Sequence, residues 1–146
     1  MSTNYHTPID GTKYYNKSSD IELPLSELDS AITDLQTHDI PVMHNGAPTN
    51  GLVLLRIEMV RAVTFPAGLT LSRLKALVAA TAESIFSLKK NGTEFGTMTF
   101  AISGTLATVA AASEAVFADG DILTLVSPAT ADITLADLYG MIVGSR

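Results

Sequence analysis

The stretch Ser84 to Ile102, SIFSLKKNGTEFGTMTFAI, restricts the possible folds more than any other part of the chain. Strand-favouring residues lie on both sides of Asn91-Gly92, a pair that tolerates the positive φ angles of a two-residue hairpin turn. A lone hairpin buries too little surface to be stable, so this one predicts a larger antiparallel sheet. Such a turn sets Lys90 opposite Thr93, Leu88 opposite Phe95 and Phe86 opposite Thr97. That register puts Met98 and Phe100 on the face opposite to Phe86 and Leu88 and so divides the apolar residues between core and solvent. One extra residue resolves the conflict. A β-bulge at Gly96 pairs Phe86 with Met98 and returns Phe100 and Ile102 to the core side. The competing expectation is regular pairing with both faces of the hairpin covered.

The rest of the C-terminal two thirds follows the same period. Leu55, Ile57 and Met59 alternate with Arg56 and Glu58 as in a half-buried strand, which Val63 and Phe65 continue to a stop at Pro66 and a turn at Ala67-Gly68. The segment 69–81 is ambiguous. Leu71, Leu74 and Val78 suit a helix face, whereas Leu74, Ala76 and Val78 alternate with Arg73, Lys75, Leu77 and Ala79 as in a strand. The strand is preferred, because the connections on either side have hairpin length. Further strands are expected at Thr105–Ala111, Val116–Phe117, Ile122–Val126 and Tyr139–Val143, with a turn at Ala118–Asp121. Thr134 to Asp137 has capping-box spacing for one helical turn. About seven short strands at roughly 8–12-residue intervals predict an all-β domain, an antiparallel β-sandwich or jelly roll, over residues 52–146.

Upstream the pattern changes. Residues 1–20 are polar and lack periodicity, which reads as an extended arm, and its tyrosines Tyr5, Tyr14 and Tyr15 suit an interface. From Glu22 to His38 a helix is expected, with Ser26 in N-cap position and Leu25, Leu28, Ile32 and Leu35 on one stripe. This stripe is either an amphipathic face packed on its own domain or a neighbour, or a short self-associating stalk, a trimer in the sharper reading. Residues 1–38 therefore form an arm and anchoring helix. Residues 39–51, with Pro41, Pro48, Gly46 and Gly51, read as a linker.

Chemistry is scarce. The formal charge of −6, from nine basic and fifteen acidic residues, argues against a nucleic-acid partner. Without cysteine there is no disulfide, thiol nucleophile or thiolate site, which suits assembly in a reducing cytoplasm. The N-terminus lacks the pattern of a signal peptide, and no apolar run approaches the ~18 residues needed to span a bilayer, so a soluble protein without a membrane partner is expected. Neither a phosphate loop, a histidine pair at metal spacing nor a nucleophile elbow is present, and no enzyme activity, metal or cofactor is expected. Glu114, Asp119 and Asp121 resemble a calcium cluster, but an Asp-Gly turn explains them without a metal. Asn91-Gly92-Thr93 and Asn16-Lys17-Ser18 match the glycosylation pattern, which the hairpin turn and the polar arm account for.

The residues Phe65 to Leu69, the Phe86–Gly96 hairpin, the Gly120-Asp121 turn, Pro128 and Thr134–Asp137 before Gly144 and Arg146 together resemble a β-rich module of tailed-bacteriophage structural proteins. Ile21 to Ile32 resembles the anchoring segments that precede fibre-type domains in such particles. The resemblance implies a non-enzymatic virion component assembled in the host cytoplasm: a capsid decoration or head-fibre protein held by its N-terminal segment to other virion proteins, as a homo-oligomer. A tail-fibre module that binds a host receptor or glycan is the alternative. The family supplies no set of functional residues to transfer.

Overall fold

The computed structural model describes residues 13–16, 21–24 and 36–146. The chain divides into two units, Met1–Thr37 and His38–Arg146. In the first, strand β1 (Lys13–Asn16) pairs antiparallel with β2 (Ile21–Pro24), setting Tyr14 against Leu23 and Tyr15 against Glu22. The expected helix from Glu22 is thus corrected at its start, where the backbone of residues 22–24 hydrogen-bonds across to β1. It is also corrected at its end, where Thr37 and His38 open the next strand. Tyr5, Leu25, Leu28, Ile32 and Leu35 lie outside the described residues.

The second unit is an antiparallel β-sandwich. Its strands are β3 (Thr37–His44), β4 (Val53–Glu58), β5 (Val63–Phe65), β6 (Arg73–Val78), β7 (Ser84–Lys90), β8 (Thr93–Phe100), β9 (Thr108–Ala110), β10 (Ala115–Phe117), β11 (Ile122–Val126) and β12 (Ala136–Ser145). One sheet has the order β10-β5-β12-β3, with β6 also on β12. The other has the order β4-β11-β7-β8-β9. Their inner faces share one core, in which Ile40, Val42, Leu74, Leu138 and Ile142 of the first sheet meet Phe86, Leu88, Met98, Phe100, Leu123 and Leu125 of the second.

The linker expected at 39–51 is therefore corrected: its first half is a core strand. Ile40 and Val42 point inward while Asp39, Pro41 and Met43 point out, a period-2 pattern broken up for the eye by a proline and flanking histidines. Pro41 is tolerated because β3 ends its sheet, so the missing N–H interrupts no inner ladder. The ambiguous segment is a strand, β6, with Leu74 and Ala76 buried.

The hairpin carries the bulge. Asn91 and Gly92 have φ of 48° and 87°, the two positive values that a type I′ turn requires. Lys90 pairs with Thr93 and Lys89 with Glu94; the register then shifts, so that Leu88 faces Gly96 and Phe86 faces Met98. Phe95 is the extra residue. Its ring packs 5.5 Å from Phe117 and 6.0 Å from Phe65, tying the second sheet to the strands β5 and β10 of the first. Gly96 is needed for space: a Cβ there would sit 2.9 Å from the Ala110 carbonyl oxygen and 3.3 Å from Leu69 Cδ1. Phe86, Leu88, Met98 and Phe100 are fully buried as expected, but Ile102 is 67% exposed, because β8 ends at Phe100.

The sandwich is closed at its side by main-chain hydrogen bonds between β6 and the segment that leads to β9. The Ala76 amide donates to the Thr105 carbonyl at 2.9 Å and the Ala107 amide to the Leu74 carbonyl at 2.9 Å. Covering the β6 edge in this way removes a template for unwanted strand pairing.

Candidate interaction surface

The two outward faces of the sandwich are built by the side chains that alternate away from the core. On the sheet that carries the hairpin, cross-strand partners put Arg56, Thr124, Lys89 and Glu94 in one row, Ser87, Thr97 and Ala110 in a second, and Ile85, Thr99 and Thr108 in a third. Val126 and Val53 complete the second row, and Val53 and Ile85 are exposed, so this face mixes polar and apolar side chains; the Ser87 hydroxyl donates to the Glu94 carboxylate across it at 2.5 Å.

The outward face of the other sheet is apolar at its centre. Pairing sets Tyr139 beside Lys75 and Met141 beside Arg73. With Pro41 and Met43 of β3 they line a groove of about 400 Å³. Met43 is 77% exposed, Tyr139 43% and Met141 37%, and Leu77 extends the strip along β6. No acidic side chain lines the groove, and among the described residues neither Arg73 nor Lys75 pairs with a carboxylate. A contiguous apolar strip flanked by cations is what a monomer avoids unless the strip contacts something.

Sequence reasoning missed these residues. In the sequence Met43 lies in a linker-like stretch, and Arg73 and Lys75 lie in a segment that suits helix or strand. The available signal was in β12, whose inward Leu138 and Ile142 alternate with Tyr139, Met141 and Val143, so that both faces are apolar. A strand written in that way is covered on both sides. Of the interface residues expected at the N-terminus, the structure places Tyr14 and Tyr15 together on β1.

No protein-family model matches the chain, and no curated protein matches it.

Two carboxylates anchor turns. Asp121 joins the β7–β8 and β10–β11 turns: it accepts from the Ala118 amide at 2.8 Å and the Asn91 side-chain amide at 2.6 Å, and pairs with Lys90 at 2.9 Å. The Asn91 carbonyl oxygen in turn accepts from the Ile122 amide at 2.8 Å. The amide of Ala118, then Asn91 and Lys90, hold the Asp121 pKa down to about 2. The Lys90 ammonium also donates to the Val116 carbonyl at 2.6 Å and lies 5.4 Å from the centre of the Phe117 ring. Asp119 and Glu114 are not among the partners of Asp121, and among the described residues no group of three acidic, His or Cys side chains is placed to hold a metal.

Asp132, 8% exposed, is more heavily engaged. One oxygen accepts from the Thr81 amide and hydroxyl and the Ala82 amide, at 2.7, 2.9 and 2.6 Å. The other accepts from the Thr134 amide and hydroxyl and the Leu135 amide, at 2.7, 2.5 and 3.0 Å. The Thr134 hydroxyl bond, ahead of the backbone bonds and against the cost of burial, holds this carboxyl far below the ordinary range. The helical turn expected at Thr134–Asp137 is corrected for this reason. Asp132 takes the Thr134 and Leu135 amides, the Asp137 amide donates to the Gly46 carbonyl at 3.1 Å, and Asp137, at φ 56°, is already the second residue of β12. The legible cue was Asp132-x-Thr134, the spacing of an Asx turn.

Proposed function

We propose that the protein is a non-enzymatic structural component of a tailed-phage particle, a multi-copy capsid decoration or head-fibre protein in which the N-terminal unit attaches to other virion proteins and the β-sandwich is displayed. The observation that carries the reading is the combination of a sandwich whose β12-centred outer face holds a groove lined by Pro41, Met43, Tyr139 and Met141 with a separate N-terminal unit. A protein that contacts neighbours through a preformed sheet face needs no catalytic constellation, and the named residues supply contact chemistry: methionine, tyrosine and the stems of Arg73 and Lys75. The β1–β2 hairpin of the first unit has strands of four residues each. A pair that short is marginal in water by itself, which suits an arm whose sheet is completed on a larger body. Decoration is preferred to a glycan-binding tip because sugar recognition relies on aromatic platforms, and aromatic residues make up only 6% of the chain with no tryptophan.

The test is peptide mass spectrometry of density-purified particles from a strain that carries this gene, with the chain quantified against the major capsid protein. Recovery in hundreds of copies per particle supports decoration, and a few to tens supports a fibre. Absence from intact particles overturns the proposal.

A further inference from the structure

The apolar groove and the acidic stretch of residues 25–35 have complementary chemistry. The groove brings together Met43, Tyr139 and Met141 with Arg73 and Lys75, and carries no acid. The stretch LSELDSAITDL has Glu27, Asp29 and Asp34 and no basic residue, with Leu25, Leu28, Ile32 and Leu35 spaced three, four and three apart. That is the spacing by which an amphipathic segment anchors in an apolar groove. We propose that the Met43–Tyr139–Met141 face is the docking site for residues 25–35 of a neighbouring copy of this chain, so that copies join head to tail. The inference rests on the reading of the protein as a multi-copy structural component, and it replaces mutual bundling of the stretches with binding of a stretch to a sheet.

Charge decides between possible occupants. A face-to-face dimer through two copies of the groove would bring Arg73 and Lys75 against their own counterparts, and like charges brought together at an interface oppose that pairing. A nucleic acid is disfavoured because two cations neutralise too few phosphates on a chain of net charge −6. An acidic segment with apolar anchors satisfies both halves of the surface. A head-to-tail contact of this kind is heterologous, and it closes into a ring if the rotation per step allows.

The full-length protein tests the inference by sedimentation equilibrium at low and high salt, with far-UV circular dichroism as the check on folding. Wild type is expected to self-associate, more weakly at high salt. Reversal of the groove charges, Arg73→Glu with Lys75→Glu, and reversal of the stretch, Glu27→Lys with Asp29→Lys and Asp34→Lys, are each expected to weaken association by about tenfold or more, and the five changes together to restore it. Met43→Ser provides a charge-neutral groove variant at a position the fold leaves 77% exposed, and is also expected to weaken association. A wild-type monomer at the highest soluble concentration overturns the proposal. So does a charge swap that fails to restore association in a folded protein, or an oligomer that survives all groove variants but is lost in Leu28→Asp, which would assign assembly to bundling. Binding of wild type to vesicles of phosphatidylglycerol, abolished by the groove variants while self-association is unchanged, would transfer the groove to a lipid surface and overturn it too. The particle measurement stands apart: a chain absent from particles that nonetheless assembles by the charge rule defeats the function and leaves the docking site.

Discussion

Asp132 shows how much order one side chain imposes on a loop. Its two oxygens accept six hydrogen bonds from Thr81, Ala82, Thr134 and Leu135, so segments about fifty residues apart in sequence are fastened to a single buried charge. Hydrogen bonds to the charged form favour it over the protonated one, and the same holds for Asp121, held down to about 2. In the unfolded chain both groups titrate near pH ~3.9. Because their folded values are lower, the unfolded state binds more protons in acid, so their contribution is complete above that value and falls as pH drops below it, Asp121's through about 2 and Asp132's further. Chemical denaturation followed from pH 6 down to pH 2 should show the urea midpoint constant at first and falling below about pH 4. Asp132→Asn replaces one acceptor oxygen by an NH₂ group that faces donors. It should lower the melting temperature by several degrees at pH 7 and flatten the acid limb. An acid limb as steep as wild type in that variant would remove Asp132 as its source.

At the scale of elements, the bulge in β8 does more than repair the alternation of its strand. It releases Phe95 from the ladder toward Phe65 and Phe117, and it requires a residue without Cβ at Gly96, where the Ala110 carbonyl passes close by. Gly96 is not in a positive-φ conformation, so its requirement is spatial and not conformational. Gly96→Ala should therefore cost about 1–3 kcal/mol through overpacking, with the far-UV spectrum unchanged, as read from urea unfolding at neutral pH. An unchanged midpoint would mean that β9 moves aside freely. The element that sequence analysis placed wrongly, β3, shows the opposite situation. Its alternation was present, but Pro41 and the surrounding polar residues match a linker equally well, and the burial of Ile40 and Val42 depends on a sheet built mainly from residues far downstream.

For the whole molecule, the relevant quantities are charge and the distribution of apolar surface. A net charge of −6 opposes non-specific association at neutral pH, and that repulsion vanishes near the isoelectric point of about 4.8. Turbidity of a concentrated solution titrated downward should peak near that pH, above the range in which the Asp121 and Asp132 anchors are lost. A maximum that coincides instead with unfolding would attribute precipitation to exposed core. The all-β class and the tight turn at Asn91-Gly92 were legible in the residues, because they follow from side-chain period and from backbone angles that few residues adopt; the alternation also favoured a bulge near Gly96 over regular pairing, and the register places its extra residue at Phe95. Three outcomes came from the assembled sheets: β3 belongs to the core, Asp132 also binds Thr81 and Ala82, and Met43, Arg73, Lys75, Tyr139 and Met141 share one surface. Those three outcomes depend on strand order, which brings together residues nearly a hundred positions apart, and no local pattern records which strands will become neighbours.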